Sequence, residues 1–302
     1  MLKLVILIIY FAVLIGIGLY CRKHATDVNG FVLGGRSVGP WLTAFAYGTS
    51  YFSAVVFVGY AGQFGWKYGI AATWAGIGNA IIGSLLAWVV LGRRTRIMSQ
   101  HLDSATMPQY FGKRFGSNPL KIGASVIIFI FLIPYTASLY NGLSRLFGMA
   151  FNIDYSVCII IMATLTAIYV IAGGYMATAI NDFIQGIIML FGIVAVIAAV
   201  IHSKGGFMSA LQGLANVSDP AVSDTPGIFA SFFGPDPFNL LCVVILTSLG
   251  TWGLPQMVQK FYAIDNEASI QKGTVISTIF ALIVSGGCYF LSLIHISEPT
   301  RL

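Results

Sequence analysis

Two apolar stretches of this sequence carry hydroxyl, glycine and proline residues in their middle, where a membrane-crossing helix would ordinarily be continuous. The first stretch is 41–62, with its polar run at 47–53, and the second is 238–257, with its polar run at 247–255. Non-helical backbone at membrane depth persists only where it is buried in protein or lines a water-filled cavity. There, free carbonyls can hold a cation such as Na⁺, and the N-terminus of a half-helix can face an anionic group. Broken segments that recur in two parts of one chain predict a transport site.

The composition indicates a protein that lies largely in a bilayer. Of the 302 residues, 57% are apolar and 9% are charged, whereas a typical soluble domain has about 25% charged residues. A transmembrane helix needs about 20 apolar residues to cross a hydrocarbon core of about 30 Å. We therefore predict an all-α polytopic membrane protein with eight crossings. The predicted spans are 4–20, 41–62, 70–91, 122–147, 157–171, 183–201, 238–257 and 274–294.

The basic residues are unevenly distributed between alternate loops. A net charge of +6 would suit a nucleic-acid-binding protein, but such proteins gather lysine and arginine on one solvated face. If the N-terminus is outside, most of these residues lie on the cytoplasmic side, as the positive-inside rule requires. We predict a cytoplasmic-membrane protein with an external N-terminus and no nucleic-acid partner. The cytoplasmic set is Arg22, Lys23, Arg36, Arg93, Arg94, Arg96, Lys113, Arg114, Lys121, Lys260 and Lys272, against Lys3, Lys67, Arg145 and Lys204 outside.

The sequence carries no pattern typical of an enzyme, a metalloprotein or a nucleotide-driven pump. The four cysteines are scattered, mostly inside apolar spans, and the four histidines form no ligand-like cluster. A phosphate-cradling glycine loop followed by lysine and serine or threonine does not occur. We expect no covalent chemistry and no nucleotide. The basic cluster at 22–24 follows the first apolar run without a small-residue cleavage site, which favours a retained first helix over a signal peptide.

Four short motifs occur in an order that resembles the sodium:solute symporter family. Residues 30–41 read GFVLGGRSVGPW and precede the first broken stretch. Residues 171–177 read IAGGYMA, residues 181–186 read NDFIQG, and residues 252–256 read WGLPQ. Each motif is modest alone, but the four in order, with matching hydropathy, extend the resemblance over about residues 4 to 290.

The resemblance implies an inverted-repeat fold, in which two five-helix bundles surround a solute site and Na⁺ sites near the bilayer midplane. The span 4–20 would be a leading helix, 41–201 the first repeat, and the remaining spans the first two helices of the second repeat. The family domain would cover 1–292. The tail, 293–302, does not look like family sequence and is similar to a translated sequencing adaptor. We expect a truncated gene model, with a natural short tail as the alternative, and we expect the 302-residue chain alone not to transport.

The resemblance also implies a Na⁺ site at the first break. Family members bind Na⁺ partly through backbone carbonyls, which fall at Thr49 and Phe52 in this sequence. The hydroxyls of Ser50 and Ser53 can face the same cavity, since the two residues lie three positions apart in the sequence. Their alternative role is close packing between helices, which is a common use of small polar residues in membranes.

Asp182 is the remaining candidate ligand for Na⁺. In some relatives an aspartate at this position serves a second Na⁺ site. A carboxylate alone in hydrocarbon would be unfavourable by several kcal/mol, so we expect a partner. The alternative is a helix N-cap formed beside Asn181, because an aspartate is favourable at a helix start. The two roles do not exclude each other.

The candidate solute cavity draws on both broken stretches. Trp252 and Gln256 lie one helical turn apart and would present an aromatic face and an amide to a small polar organic solute. An interfacial tryptophan is the alternative for Trp252. Proline-symporter relatives have a carboxylate where this sequence has Tyr51, which argues against transferring the proline site. The further candidates for the cavity are Tyr47, Ser50, Tyr51, Thr247, Ser248 and Thr251.

Na⁺-coupled symport of a small organic solute, with Na⁺ as the coupling ion and alternating access as the mechanism, is the function that the resemblance implies. A second hypothesis is the membrane part of a sensor, because this fold also occurs fused to histidine kinases. An ordinary channel would explain the hydropathy but not the four ordered motifs. The solute itself cannot be read from motifs that belong to the scaffold.

Overall fold

The computed structural model describes residues 2–53, 55–217, 222–223 and 225–295, and within these ranges the chain forms helices and turns without a β-strand. The helices are α1 Leu2–Cys21, α2 Val28–Leu33, α3 Pro40–Tyr51, α4 Ala61–Tyr68, α5 Thr73–Gly78, α6 Arg93–His101, α7 Met107–Phe115, α8 Asn118–Phe151, α9 Tyr155–Ser203, α10 Phe207–Ala215, α11 Pro237–Leu249, α12 Pro255–Ala263 and α13 Glu267–His295. Wider π-helical turns at Val55–Tyr60, Asn79–Leu86 and Trp88–Gly92 extend α4, α5 and α6.

The first broken stretch is a broken helix, as the sequence predicts. Helix α3 ends at Tyr51, Phe52 and Ser53 are not helical, and the chain is helical again from Val55. The Ser53 carbonyl accepts a hydrogen bond from the Val56 amide at 3.0 Å, so the break includes a tight turn.

The second broken stretch is also interrupted where the sequence predicts. Helix α11 ends at Leu249, residues 250–254 form turns, and α12 begins at Pro255. Proline suits this first helical position because its missing N–H would have no helical partner there.

Four helical stretches in the described part of the chain are long and apolar enough to cross a membrane. They are Ala61–His101, Asn118–Gly148, Tyr155–Ser203 and Glu267–Leu291, and Val5–Cys21 and Pro237–Leu249 are shorter apolar helices. Two predicted spans, 157–171 and 183–201, fall within α9, which has 49 residues. A straight helix of this length would measure about 74 Å, far more than the hydrocarbon core. The predicted tail lies outside the described residues from position 296 onward.

A glycine interrupts α9. Gly174 has φ 58° and ψ −150°, a conformation open essentially to glycine alone. A Cβ at this position would lie 2.8 Å from the Phe31 carbonyl oxygen. The glycine pair of the second motif, at 171–177, therefore bends the chain and admits α2 against it.

The helices group into two compact units, each with its own core. In the first unit, Leu33, Val38, Tyr175 and Tyr262 are buried together. The core of the second unit contains the buried residues Tyr68, Ala72, Val244 and Tyr289. The first unit takes its residues from Met1–Tyr51, Trp88–Gly186 and Gly253–Thr274, and the second from Phe52–Ala87, Ile187–Trp252 and Val275–Leu302.

Hydrogen bonds from the side chains of Arg96 and Gln259 fix α12 within the first unit. Arg96 is 4% exposed and donates through Nε to the Ile264 carbonyl at 2.5 Å and through Nη2 to the Asp265 carbonyl at 2.6 Å. Gln259 donates through Nε2 to the Val32 carbonyl at 2.6 Å. The position of α12 matters because it carries a lysine that faces Asp182.

Candidate functional site

Asp182 has the partner that the sequence predicts a membrane carboxylate must have. In the first unit, the Lys260 ammonium lies 3.5 Å from Oδ2 of Asp182. The side chains are 8% exposed for Lys260 and 22% exposed for Asp182. A charge this far from water needs a counter-charge, so each side chain stabilises the other.

Thr49 completes a polar cluster with this ion pair. Its side chain lies beside the Asp182 carboxylate, and its Oγ1 donates to the Phe45 carbonyl oxygen at 2.9 Å within α3. A hydroxyl has one hydrogen, so Thr49 can donate to only one of these oxygens at a time. Thr49 therefore lies close to Asp182 through its side chain, and not through the backbone carbonyl that the resemblance implies as an ion ligand.

The surroundings of this cluster are only partly satisfied by protein groups. The Lys260 ammonium lies 5.1 Å from the centroid of the Tyr175 ring, which is a cation–π distance. The Tyr175 hydroxyl is buried and has no hydrogen-bond partner within the described ranges. Asn181 is 1% exposed, and neither of its amide atoms has a partner among the residues described.

The alternative of an N-cap at Asp182 is wrong. Helix α9 runs from Tyr155 to Ser203 and departs from helical geometry at Gly174. Asp182 therefore lies well inside the segment that follows Gly174 and does not begin a helix. Its carboxylate serves the cluster with Lys260 and not the end of the backbone.

Four of the predicted cavity residues lie in the first unit in different settings. Tyr47 is 1% exposed and packs its ring 5.6 Å from Trp88 and 5.7 Å from Phe261. Tyr51 is 7% exposed and lies edge-on to Tyr47 at 6.3 Å. The amide of Gln256 is buried, and neither atom has a hydrogen-bond partner in the part of the chain that the structure describes. Ser50 is half-buried beside them in sequence.

The other predicted cavity residues lie in the second unit, around a buried asparagine. Asn79 is 2% exposed, and its Oδ1 accepts hydrogen bonds from the hydroxyls of Thr247 and Ser248, each at 3.1 Å. Thr251 donates to the Ser248 carbonyl at 3.1 Å. The end of α11 before the second break is therefore held by side-chain hydrogen bonds.

Trp252 is fixed by its indole nitrogen. Nε1 donates to the Ile82 carbonyl at 3.0 Å, within the π-helical turns that follow Asn79. With this N–H already used, a solute would meet only the ring of Trp252. The two predicted ion ligands beyond the first break are in the second unit as well: Phe52 is 2% exposed and Ser53 is half-buried.

Sequence reasoning missed two residues of these clusters. The charge pattern alone places Lys260 in a cytoplasmic loop. It gives no role to Asn79, which is a single polar residue in a predicted span. A signal was present for both, because a polar or ionisable residue within an apolar segment marks a functional or paired position.

The chemistry available to the first-unit cluster is the binding of a hard cation. A carboxylate, a hydroxyl and an amide oxygen are the donor types that such ions prefer. No group of three or more histidine, cysteine, aspartate or glutamate side chains comes together in the described ranges, so nothing there resembles a transition-metal site. Oxygen donors of these types suit Na⁺, and in this structure the Lys260 ammonium is the cation beside the carboxylate.

Replacement of Asn79 by leucine tests whether this residue holds the end of α11. We expect the free energy of unfolding to fall by about 1–3 kcal/mol, because the buried Ser248 hydroxyl loses its acceptor and the partly buried Thr247 hydroxyl keeps only helix carbonyls. Thermal unfolding in detergent micelles measures the change. In the Asn79→Leu background, Ser248→Ala should have a smaller effect than in the wild type. Equal effects in both backgrounds would contradict the contact.

Comparisons with known proteins agree with this architecture. The chain is similar to the osmoregulated proline transporter OpuE of Bacillus subtilis, with 30% identity over 292 residues, which cover 96% of this chain and 57% of that protein. It is also similar to a sodium/proline symporter of Staphylococcus aureus, with 32% identity over 282 residues, covering 89% and 51%. The chain thus spans about half the length of the curated relatives it matches.

The fold matches a solved structure, described as the substrate-bound outward-open state of a Na⁺-coupled sialic acid symporter. The TM-score is 0.77 at 17% identity, and the match covers 98% of this chain and 60% of the other. At this identity the likeness shows the fold, and the predicted fold class is confirmed. A sequence model of the sodium:solute symporter family matches residues 31–297. The chain belongs to the sodium:solute symporter family.

Proposed function

We propose that this protein carries out Na⁺-coupled symport of a small organic solute by alternating access. The observation that carries the proposal is the pair of apolar helices broken at 52–53 and 250–254 in a member of this family. Relatives named as a proline transporter and a sodium/proline symporter support the same function. They lend no support to the sensor alternative.

We propose two Na⁺ sites, one with the Thr49 and Phe52 carbonyls and Ser53 at the first break, and a second at Asp182. The Thr49 side chain beside Asp182 adds a hydroxyl to the second site. The proposed roles of Phe52 and Ser53 are supported only by the position of these residues in the break. Na⁺ binding would favour one conformer if the ligands are arranged differently in the two states, which is what coupling requires.

For solute binding we propose the hydroxyl, amide and aromatic groups of the two breaks, as the family resemblance implies. The most telling of these residues is Gln256, because a buried amide without a partner among the described residues is costly unless a ligand or water satisfies it. Tyr51, where proline-symporter relatives have a carboxylate, supports a solute other than proline. The remaining proposed members are Tyr47, Ser50, Ser248, Thr251 and Trp252.

The proposed location is the cytoplasmic membrane, with several crossings and the N-terminus outside. The unequal distribution of lysine and arginine between alternate loops supports this orientation. Inward Na⁺ movement would then gain about 2.3 kcal/mol per charge for each 100 mV of membrane potential.

Uptake into membrane vesicles that bear the complete gene product tests the proposal. Labelled solutes of several classes, including proline and sialic acid, are offered with an inward Na⁺ gradient or with choline in its place. We expect Na⁺ to raise the uptake of one solute about tenfold or more, and Asp182→Asn to abolish this stimulation. Lys272→Met, at an exposed position of α13, is the control that should transport normally. Uptake of every solute that is equal in Na⁺ and choline would contradict the proposal.

A further inference from the structure

The ion pair between Lys260 and Asp182 is loose. Its N–O distance is 3.5 Å, whereas charge-assisted hydrogen bonds of this kind measure about 2.7–2.9 Å. An ammonium has three hydrogens to donate. Besides Asp182, the Lys260 ammonium lies 5.1 Å from the centroid of the Tyr175 ring, which accepts no conventional hydrogen bond. A pair held at this distance, on a flexible four-carbon side chain, can separate with little loss of hydrogen bonding.

The two partners differ in their access to solvent. Asp182 keeps 22% of its side chain exposed, while Lys260 keeps 8%. The carboxylate is therefore the less enclosed of the two partners. The carboxylate can be approached while Lys260 is still in place.

Charge balance opposes the presence of both cations at once. Asp182 and Lys260 together are neutral, so adding Na⁺ would leave an uncompensated positive charge in a poorly solvated cluster. At about 4 Å, two like unit charges repel each other strongly even at an effective dielectric constant of about 20. Na⁺ and the Lys260 ammonium thus exclude each other at Asp182.

We propose that Lys260 is an internal competitor for the ion site, whose ammonium occupies the cation position at Asp182 until Na⁺ displaces it. This inference rests on the proposed function and adds to it a residue that sets the affinity for Na⁺. The Thr49 side chain lies beside the carboxylate and supplies a neutral hydroxyl oxygen that can coordinate Na⁺ together with it.

The exchange would act directly on the second broken helix. Lys260 belongs to α12, which begins at Pro255 immediately after the break at 250–254. Its ion pair ties α12 to α9, and its neighbour Gln259 ties α12 to α2 through the Val32 carbonyl. Displacement of Lys260 would break the contact between α12 and α9. Na⁺ would then bind more tightly to the state in which α12 is released than to the state in which it is held.

Substitution of Lys260 by methionine, which keeps the length and removes the charge, tests the competition. The readout is the Na⁺ concentration that gives half of the Na⁺-induced rise in melting temperature of the purified protein in detergent. We expect this concentration to fall about tenfold in Lys260→Met, because Na⁺ no longer binds only to the fraction of molecules in which the lysine has left. Lys272→Met, which removes a solvated lysine of α13, should leave it unchanged.

Acylation of the wild-type protein provides a second measurement that needs no variant. The protein is treated briefly with an amine-reactive ester in Na⁺ or in choline, and peptide mass spectrometry quantifies the modification of Lys260 and Lys272. We expect Na⁺ to raise the rate at Lys260 by several-fold and to leave Lys272 unaffected.

Equal modification of Lys260 in Na⁺ and choline would overturn the proposal, whatever the methionine variant does. So would a half-saturating Na⁺ concentration that stays the same or rises in a folded Lys260→Met protein. In either case a wild type that is still stabilised by Na⁺ and shows Na⁺-driven uptake would keep the proposed function intact. A wild type with neither response would remove both.

Discussion

Replacing Asp182 with alanine is expected to destabilise the protein by about 3–5 kcal/mol, because it leaves the Lys260 ammonium buried without its carboxylate. The lysine side chain is 8% exposed, so water cannot take over the role of the lost partner. The double variant Asp182→Ala/Lys260→Met should recover most of the loss, since no uncompensated charge remains. Its melting temperature should therefore lie above that of Asp182→Ala and near that of the wild type.

Thermal unfolding in detergent, followed with a thiol-reactive fluorophore, measures these differences. Cys21, Cys158 and Cys288 are buried free thiols and become reactive as the protein unfolds. Lys272→Met in the Asp182→Ala background is the matched control and should give no recovery. A double variant as unstable as the sum of the two single variants would show that the side chains are not energetically coupled.

The two broken helices could be predicted from the sequence because their causes are local. Serine, threonine, glycine and proline at 49–53 and 250–255 weaken a helix through their own backbone and side-chain chemistry. The structure interrupts α3 after Tyr51 and α11 after Leu249, within these runs. Local composition also explains why the apolar helices and the overall class followed from hydropathy.

The alternative of a helix start at Asp182 is wrong for an equally local reason. An asparagine and an aspartate before an apolar run are typical of a helix start, but the same residues occur inside helices when their side chains have tertiary partners. The actual interruption is at Gly174, where a positive φ is required. The sequence contains the glycine pair, but pattern alone does not reveal which of the two signals the tertiary structure uses.

The partners in both polar clusters could not be predicted, because they are contacts between distant parts of the chain. Asn79 accepts from Thr247 across 168 residues, and Lys260 lies on a different helix from Asp182. Periodicity and composition describe one segment at a time and contain no information on such pairs. The rule that a membrane carboxylate needs a partner predicted that a cation exists, but not which residue supplies it.

Replacing Gly174 with alanine is expected to destabilise the first unit by about 3 kcal/mol or more, through two effects that add. A residue with a side chain at φ 58° and ψ −150° is strained by about 1–3 kcal/mol. The added Cβ would also lie 2.8 Å from the Phe31 carbonyl oxygen and 3.0 Å from its ring, so α2 would have to shift. A backbone contact cannot relax by rotating a side chain, so the strain persists or the kink is lost.

Gly192→Ala is the matched control for this prediction, since Gly192 lies in the same helix α9 and a Cβ there has no atom within 4 Å. It should leave the melting temperature unchanged or raise it slightly, because alanine favours a helix over glycine by about 1 kcal/mol. Because the segment after Gly174 carries Asp182, a shifted kink should also weaken the Na⁺-induced stabilisation in Gly174→Ala protein that still folds. A Gly174→Ala protein as stable as Gly192→Ala would show that the bend in α9 does not depend on glycine.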